Sequence, residues 1–400
     1  MSLDNRNCTL FYGGPIITPE GPRYDDWAVL VEGSKITAVG PYRSETRAMR
    51  DEKRIDVRGR FIAPGFIDLQ LNGAAGRMLT SEPTVETVRA MAEILPRFGC
   101  TAFLPTAITA PTEQLQAAGR AVATVMNDEP GHGARVLGLH LEGPFINPER
   151  AGAHEPDSII PPSVDALRRL YEDGGESAVL LTLAPELPGA EAVIAEAQRL
   201  GIVVAIGHST ADLAQVNTAA QQGATLVTHL FNAMNPLGSR QPGTVGAALS
   251  NDKLTASLIA DAVHVHPASM QIAARAKGSE RVVLITDAMA PLGTTIQTFD
   301  LYDQTIEVRD GACFRADGVL AGSVLSMDQA VRNMCQLVGI SFPEAIAMAS
   351  TNPARIIGHS DSTGSLYPGN DADIVVCDDA ANVWLTMVQG EVCYRATGVR

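Results

Sequence analysis

The 400-residue sequence has no run of 18 consecutive apolar residues, so nothing in it reads as a membrane-spanning helix. Its opening residues, MSLDNRNCTL, lack the apolar centre of a signal peptide, and a cytoplasmic location is the expectation. Cysteine is sparse. Cys8, Cys100, Cys313, Cys335, Cys377 and Cys393 are scattered with no C-x-x-C spacing, which excludes a zinc knuckle and argues for free thiols in a reducing compartment. Basic residues are in deficit, 30 Lys and Arg against 45 Asp and Glu, for a formal charge of -15. With no basic cluster, nucleic acid and anionic membrane are excluded as partners. A small anion is not excluded, because exposed charges are screened beyond roughly 8 Å at physiological salt. No G-x-G-x-x-G follows the first apolar run of the body, which counts against an open doubly wound sheet.

What is present is organised around residues 139–145, LHLEGPF, where an apolar run ends in Glu142 and breaks at Gly143-Pro144. A short apolar run bounded by Gly and Pro reads as a buried strand, and the C-terminal end of such a strand is where α/β enzymes hold their chemistry. Taken alone, Glu142 reads equally well as a loop cap. Two later runs also stop on histidine, IVVAIGHS at His208 and TLVTHLFNAMNP at His229. One carboxylate and two imidazoles make a metal site if their strands are neighbours.

Eight apolar runs, at 66–71, 101–105, 136–141, 178–183, 202–206, 225–230, 255–259 and 281–285, alternate with stretches of helical spacing such as VETVRAMAEILPRFG. This predicts a closed (β/α)8 barrel over residues 63–365. Short β-type runs fill residues 1–62 and return at 366–400, which predicts one small β-sandwich built from both termini. Two independent end modules are the second reading. In the barrel, Gln70, Asn72, Thr106, Glu142, Glu186, His208, His229, Asn232, His264 and Asp287 all follow strands and converge on one face. Such a convergence points to an enzyme.

PGFIDLQLNG, HLEGPF, GHS, THLFNAMNP, the histidine of DAVHVHP, TDAMAP and LAGSVLSM together resemble the N-acetylglucosamine-6-phosphate deacetylases of the amidohydrolase superfamily. The resemblance runs almost the whole length, through STNPARIIG near the end. The superfamily commonly carries H-x-H after strand one, supplying two ligands of a first metal. Here Gln70-Leu71-Asn72 stand in that place, and an amide is a poor substitute for imidazole as a transition-metal ligand. SAVLLTLAPE, the fourth strand, has no lysine that could bridge two metals as a carbamate. The expectation is one divalent metal per chain on Glu142, His208 and His229, zinc first, with iron(II) and manganese also suited to the donor set. The resemblance thus implies that Gln70 and Asn72 mark the vestigial positions of a first metal site.

The resemblance further implies that Asp287 is the general base and then the general acid, and that His154 of ERAGAH polarises the acetyl carbonyl. On the same resemblance Asn232, Ala233, His264, Gly152 and Ala153 are expected to contact the substrate, and Arg240 to reach the phosphate of the neighbouring subunit in a homodimer. Local sequence alone leaves Asp287 open as a helix cap, His154 as a loop histidine and Arg240 as a solvated arginine. His140, two residues before Glu142, reads as support behind the metal; His132 and His359 read as surface residues, and His266 has no assigned task. The expected reaction is hydrolysis of the acetamide of an N-acetylated amino-sugar 6-phosphate. Action on N-acetylgalactosamine 6-phosphate or an N-acyl amino acid, or a non-catalytic barrel scaffold, are the alternatives.

Overall fold

The computed structural model describes residues 8–18, 20–23, 27–42, 53–128 and 131–397; the remaining parts of the expected terminal module, at 1–7, 19, 24–26, 43–52 and 398–400, lie outside the described residues. Eight parallel strands form the body: β1 (Phe66–Leu71), β2 (Cys100–Ile108), β3 (Leu139–Glu142), β4 (Ala178–Leu183), β5 (Val203–Ile206), β6 (Ala224–Val227), β7 (Thr255–Ile259) and β8 (Val282–Ile285). Each pairs with the next in sequence order. Nearly every residue of these strands is buried, because helices cover the outside and side chains fill the inside. That explains why the runs are continuously apolar rather than alternating.

The ring closes between β8 and β1 just past the strand ends. Asp287 N–H donates to the Gln70 carbonyl at 2.9 Å and Asn72 N–H to the Ala288 carbonyl at 3.0 Å. Below them Asp68, fully buried on β1, accepts the Thr286 hydroxyl at 2.5 Å and the Thr286 N–H at 3.2 Å. Burial pushes the Asp68 carboxyl up to about 7.

Both terminal segments enter one module. A four-stranded sheet (Lys35–Pro41, Trp27–Glu32, Cys8–Tyr12, Lys53–Asp56) faces a six-stranded one that joins Glu391–Arg395, Val383–Val388 and Ile374–Cys377 to Phe61–Pro64, Ile16–Thr18 and Gly21–Arg23. Phe11, Val29 and Ile55 pack with Ile374, Leu385 and Met387 in a single core, so the reading of two independent end modules falls.

One element is additional to the expected barrel. After β8 the chain builds a four-stranded antiparallel sheet, Thr298–Leu301, Gln304–Arg309, Ala312–Phe314 and Leu320–Ser323, before returning to helices. Its last strand bonds back to the rim, Ser323 N–H to the Asp287 carbonyl at 2.9 Å. The sheet thus stands over the C-terminal face of the barrel.

Candidate active site

A cavity of about 530 Å³ opens at the C-terminal ends of the strands. Glu142 ends β3, and the next residue, Gly143, has φ +93, a conformation a side chain would strain; a Cβ there would collide with the Thr109 hydroxyl. His208 follows β5 after Gly207, where a Cβ would approach Thr182 and Thr228 to 2.7 and 2.9 Å. His229 follows β6, with its N–H donated to the Ser257 hydroxyl at 2.8 Å. His208, His229 and Asp287 all have left-handed backbones, at φ +47, +32 and +50, as do Phe231, Ala233 and Ala262 beside them. Each such residue costs about 1–3 kcal/mol of strain, and strain of this kind concentrates where function dictates side-chain direction.

The strain aims three donors at one point. Glu142 Oε1 lies 3.1 Å from His208 Nε2 and 2.9 Å from His229 Nε2, and the two ring nitrogens are 3.1 Å apart. His208 Nδ1 meets the Arg150 carbonyl at 2.7 Å; a carbonyl only accepts, so Nδ1 carries the ring proton and Nε2 presents a lone pair to the carboxylate. Lone pair against carboxylate is repulsive unless a cation lies between them. Around a tetrahedral metal with bonds of about 2.0–2.1 Å, neighbouring donors stand roughly 3.3 Å apart. The observed triangle therefore fits a small divalent cation. His229 Nδ1 is buried without a hydrogen-bond partner, unlike its counterpart on His208.

Gln70 and Asn72 occupy the opposite side of the floor. Gln70 Nε2 donates to Glu142 Oε1 at 3.0 Å and to Asp287 Oδ1 at 3.1 Å, and Asn72 Nδ2 donates to the same Asp287 oxygen at 2.6 Å. Burial, with the Glu142 charge adding to it, pushes the Asp287 carboxyl up to about 6. A cap's oxygens would instead accept backbone N–H groups of a following helix, so the N-cap reading of Asp287 is not what the geometry shows.

His154 lies on the other flank, its Nε2 3.9 Å from Glu142 Oε2. The Thr109 N–H donates to its Nδ1 at 3.2 Å, so the proton resides on Nε2, toward the cavity. Burial holds its pKa well below the ordinary value, which keeps the ring neutral. His264 is clamped by Asp261, whose Oδ2 accepts the Nδ1 proton at 2.6 Å. Asn232, Ala233, Gly152 and Ala153 line the same cavity, as do Val319, Leu320, Ala321 and Gly322 of the added sheet.

Several expected residues lie elsewhere. Glu186 does not line the cavity; it accepts the Ser209 hydroxyl at 2.7 Å and the Thr210 N–H at 2.6 Å and braces the turn behind His208. Thr106 is interior, donating toward Leu104 and bonding His140 at 3.3 Å. His140 also meets the Thr182 hydroxyl at 2.8 Å, and burial lowers it to about 4. His266 caps the helix Pro267–Lys277 by accepting from Ala268 N–H at 3.2 Å. Arg240 is exposed and outside the cavity lining of its own chain. Thr109, Arg150, Asp261 and Tyr302, which donates its hydroxyl to the Thr109 carbonyl at 2.6 Å, were not singled out by sequence. Only the Asp261–His264 spacing, three residues, carried a signal.

The sequence model of the Amidohydrolase family matches residues 61–393. The human N-acetylglucosamine-6-phosphate deacetylase is 39% identical over 411 aligned residues, covering 100% of this chain and 97% of the relative. The crystal structure of N-acetylglucosamine-6-phosphate deacetylase from Pasteurella multocida superposes with a TM-score of 0.90 at 33% identity, over 96% of this chain and 99% of that one. A point mutant of the Mycobacterium smegmatis deacetylase in complex with N-acetyl-D-glucosamine-6-phosphate gives 0.89 at 29% identity, over 97% and 99%. The chain belongs to the amidohydrolase family and, within it, to the N-acetylglucosamine-6-phosphate deacetylases.

Proposed function

We propose that the protein hydrolyses the acetamide of N-acetylglucosamine 6-phosphate to glucosamine 6-phosphate and acetate, with one divalent metal, zinc first, held by Glu142, His208 and His229. The observation that carries this reading is the convergence of Glu142 Oε1, His208 Nε2 and His229 Nε2 within 3.1 Å of one another beside a carboxylate whose pKa is raised to about 6. A divalent metal held by Glu142, His208 and His229 would supply a lowered water pKa and polarisation of the amide carbonyl. The residues do the rest. Gln70 and Asn72 both bond Asp287 Oδ1, which leaves Oδ2 to take a proton from the attacking water and return it to the departing nitrogen. That return is needed because an amine leaves poorly until it is protonated. His154, neutral with its proton on Nε2, donates a hydrogen bond to the carbonyl oxygen as negative charge grows there.

At the far end of the cavity, His264 and the Asn232-Ala233 backbone face the phosphate, supported by the Asp261 clamp and the left-handed turn through Phe231 and Ala233. Arg240 joins them from the neighbouring subunit of a homodimer, which accords with its exposure on its own chain. No helix among the described residues is long and apolar enough to cross a membrane, in keeping with a cytoplasmic enzyme. The test is acetate release from a panel of N-acetylated sugars with and without a 6-phosphate. Turnover of the phosphorylated glucosamine derivative is expected to exceed that of N-acetylglucosamine and of N-acyl amino acids. Preference for an N-acyl amino acid would contradict the reading.

A further inference from the structure

Among the described residues, the cavity is lined by three carboxylates, Glu142, Glu149 and Asp287, and by a single side chain of permanent positive charge, Arg150. A doubly charged phosphate entering such a lining needs a cation close at hand, and Arg240 of the same chain is exposed outside it. Arg150 lies in the loop after β3, between Glu142 and His154. Its guanidinium extends across to the loop after β6, where Nη2 donates to Asn235 Oδ1 at 2.7 Å, three residues past Asn232. Its Nε is buried and has no hydrogen-bond partner. Asn235 is itself held, its Nδ2 donating to the Thr210 carbonyl at 2.6 Å. Arg150 is equally fixed at its backbone, through the carbonyl that accepts from His208 and the N–H donated to the Asn147 carbonyl at 2.8 Å. The result is an arginine held at its backbone and at Nη2, with its side chain lining the cavity beside the backbone proposed for the phosphate. A planar fork of N–H groups matches phosphate oxygens in the bidentate manner.

We propose that Arg150 is a specificity-determining residue that binds the substrate's phosphate from the same chain. This rests on the sugar-phosphate reading of the site. It divides the cationic recognition into a half-buried arginine supplied in cis and an exposed one supplied by a partner.

The experiment compares wild-type protein with Arg150→Met and Arg150→Lys, measuring kcat and KM on N-acetylglucosamine with and without its 6-phosphate, and the calorimetric affinity for glucosamine 6-phosphate. Loss of a charge-assisted contact lowers the ratio of kcat/KM between phosphorylated and plain sugar about 10- to 150-fold in Arg150→Met, mostly through KM, and weakens product binding alike. Arg150→Lys recovers part of the ratio, as a point charge without the fork. A brace between two loops would lower both substrates together and leave the ratio untouched, and that result overturns the proposal. If Arg150→Met fails to fold, Arg150→Gln against Arg150→Lys reads the same ratio. Mixed dimers of Arg150→Met and Asp287→Asn chains should regain no activity, since both defects lie in one chain's own site; recovery would overturn the assignment in cis. A wild-type enzyme with no preference for the phosphorylated sugar would instead sink the underlying functional reading, independently of Arg150.

Discussion

The two sides of the cavity floor are both buried, both polar and both built at strand ends, yet only one is equipped for a metal. On the β3, β5 and β6 side stand a carboxylate oxygen and two ring nitrogens 2.9 to 3.1 Å apart. On the β1 side stand the amides Gln70 and Asn72, whose NH2 groups are turned toward Glu142 and Asp287. Their acceptors are carboxylates, so the amide orientation is fixed: N–H hydrogens, not oxygens, point into the floor. A cation on that side would meet the positive ends of two dipoles. The difference teaches that the amides on the β1 side serve to place Asp287, and it supports the proposal of one metal position per chain.

The contrast is broken hardest at Asp287. Asp287→Asn should reduce kcat by about 10²- to 10⁴-fold while metal content and substrate binding persist, since general acid/base groups typically contribute that much. Retention of more than about a tenth of the activity would move the base elsewhere. Next in size is Arg240→Ala, which should raise KM for the phosphorylated sugar roughly 10- to 150-fold, the worth of one charge-assisted contact. Mixed dimers with Asp287→Asn should recover part of the activity, because one hybrid site draws its arginine and its base from different chains. Absence of recovery in verified mixed dimers places Arg240 in its own chain's site. The smallest effect is on pH. Asp287 must be ionised to accept a proton, and burial raises it to about 6 in the metal-free protein, so kcat/KM should fall tenfold per unit along an acid limb that lies no higher than about 6. A bound cation beside it draws that limb lower, and metal-depleted protein should show the higher value by carboxyl-specific infrared titration. An acid limb well above 6 would assign it to another group.

Much of this was legible in the sequence because parallel strands buried on both faces write themselves as apolar runs, and their last residue is forced to the same rim. Glu142, His208 and His229 were readable as strand-end residues that meet if their strands are neighbours, and the family resemblance marked Gln70 and Asn72 as standing where H-x-H is common. Glu186 was read to the same rim and is not in the cavity, since the Ser209 and Thr210 donors capture it behind the turn. Thr109, Arg150 and Tyr302 were not legible. Their contacts are made by loops and by the added sheet, whose path no local periodicity specifies. The sheet itself did leave a trace, the alternation of TIEVR before the turn at Gly311, in a stretch that the barrel repeat should not contain.

The central claim is the single metal position on one side of the floor. Its most direct test is elemental analysis of metal-depleted protein reloaded with zinc in steps, with acetate release from N-acetylglucosamine 6-phosphate followed on the same samples. Activity should rise linearly and stop at one equivalent per chain, and Glu142→Gln should remove the tight equivalent. Activity that continues to climb to a second tightly bound equivalent would contradict the account.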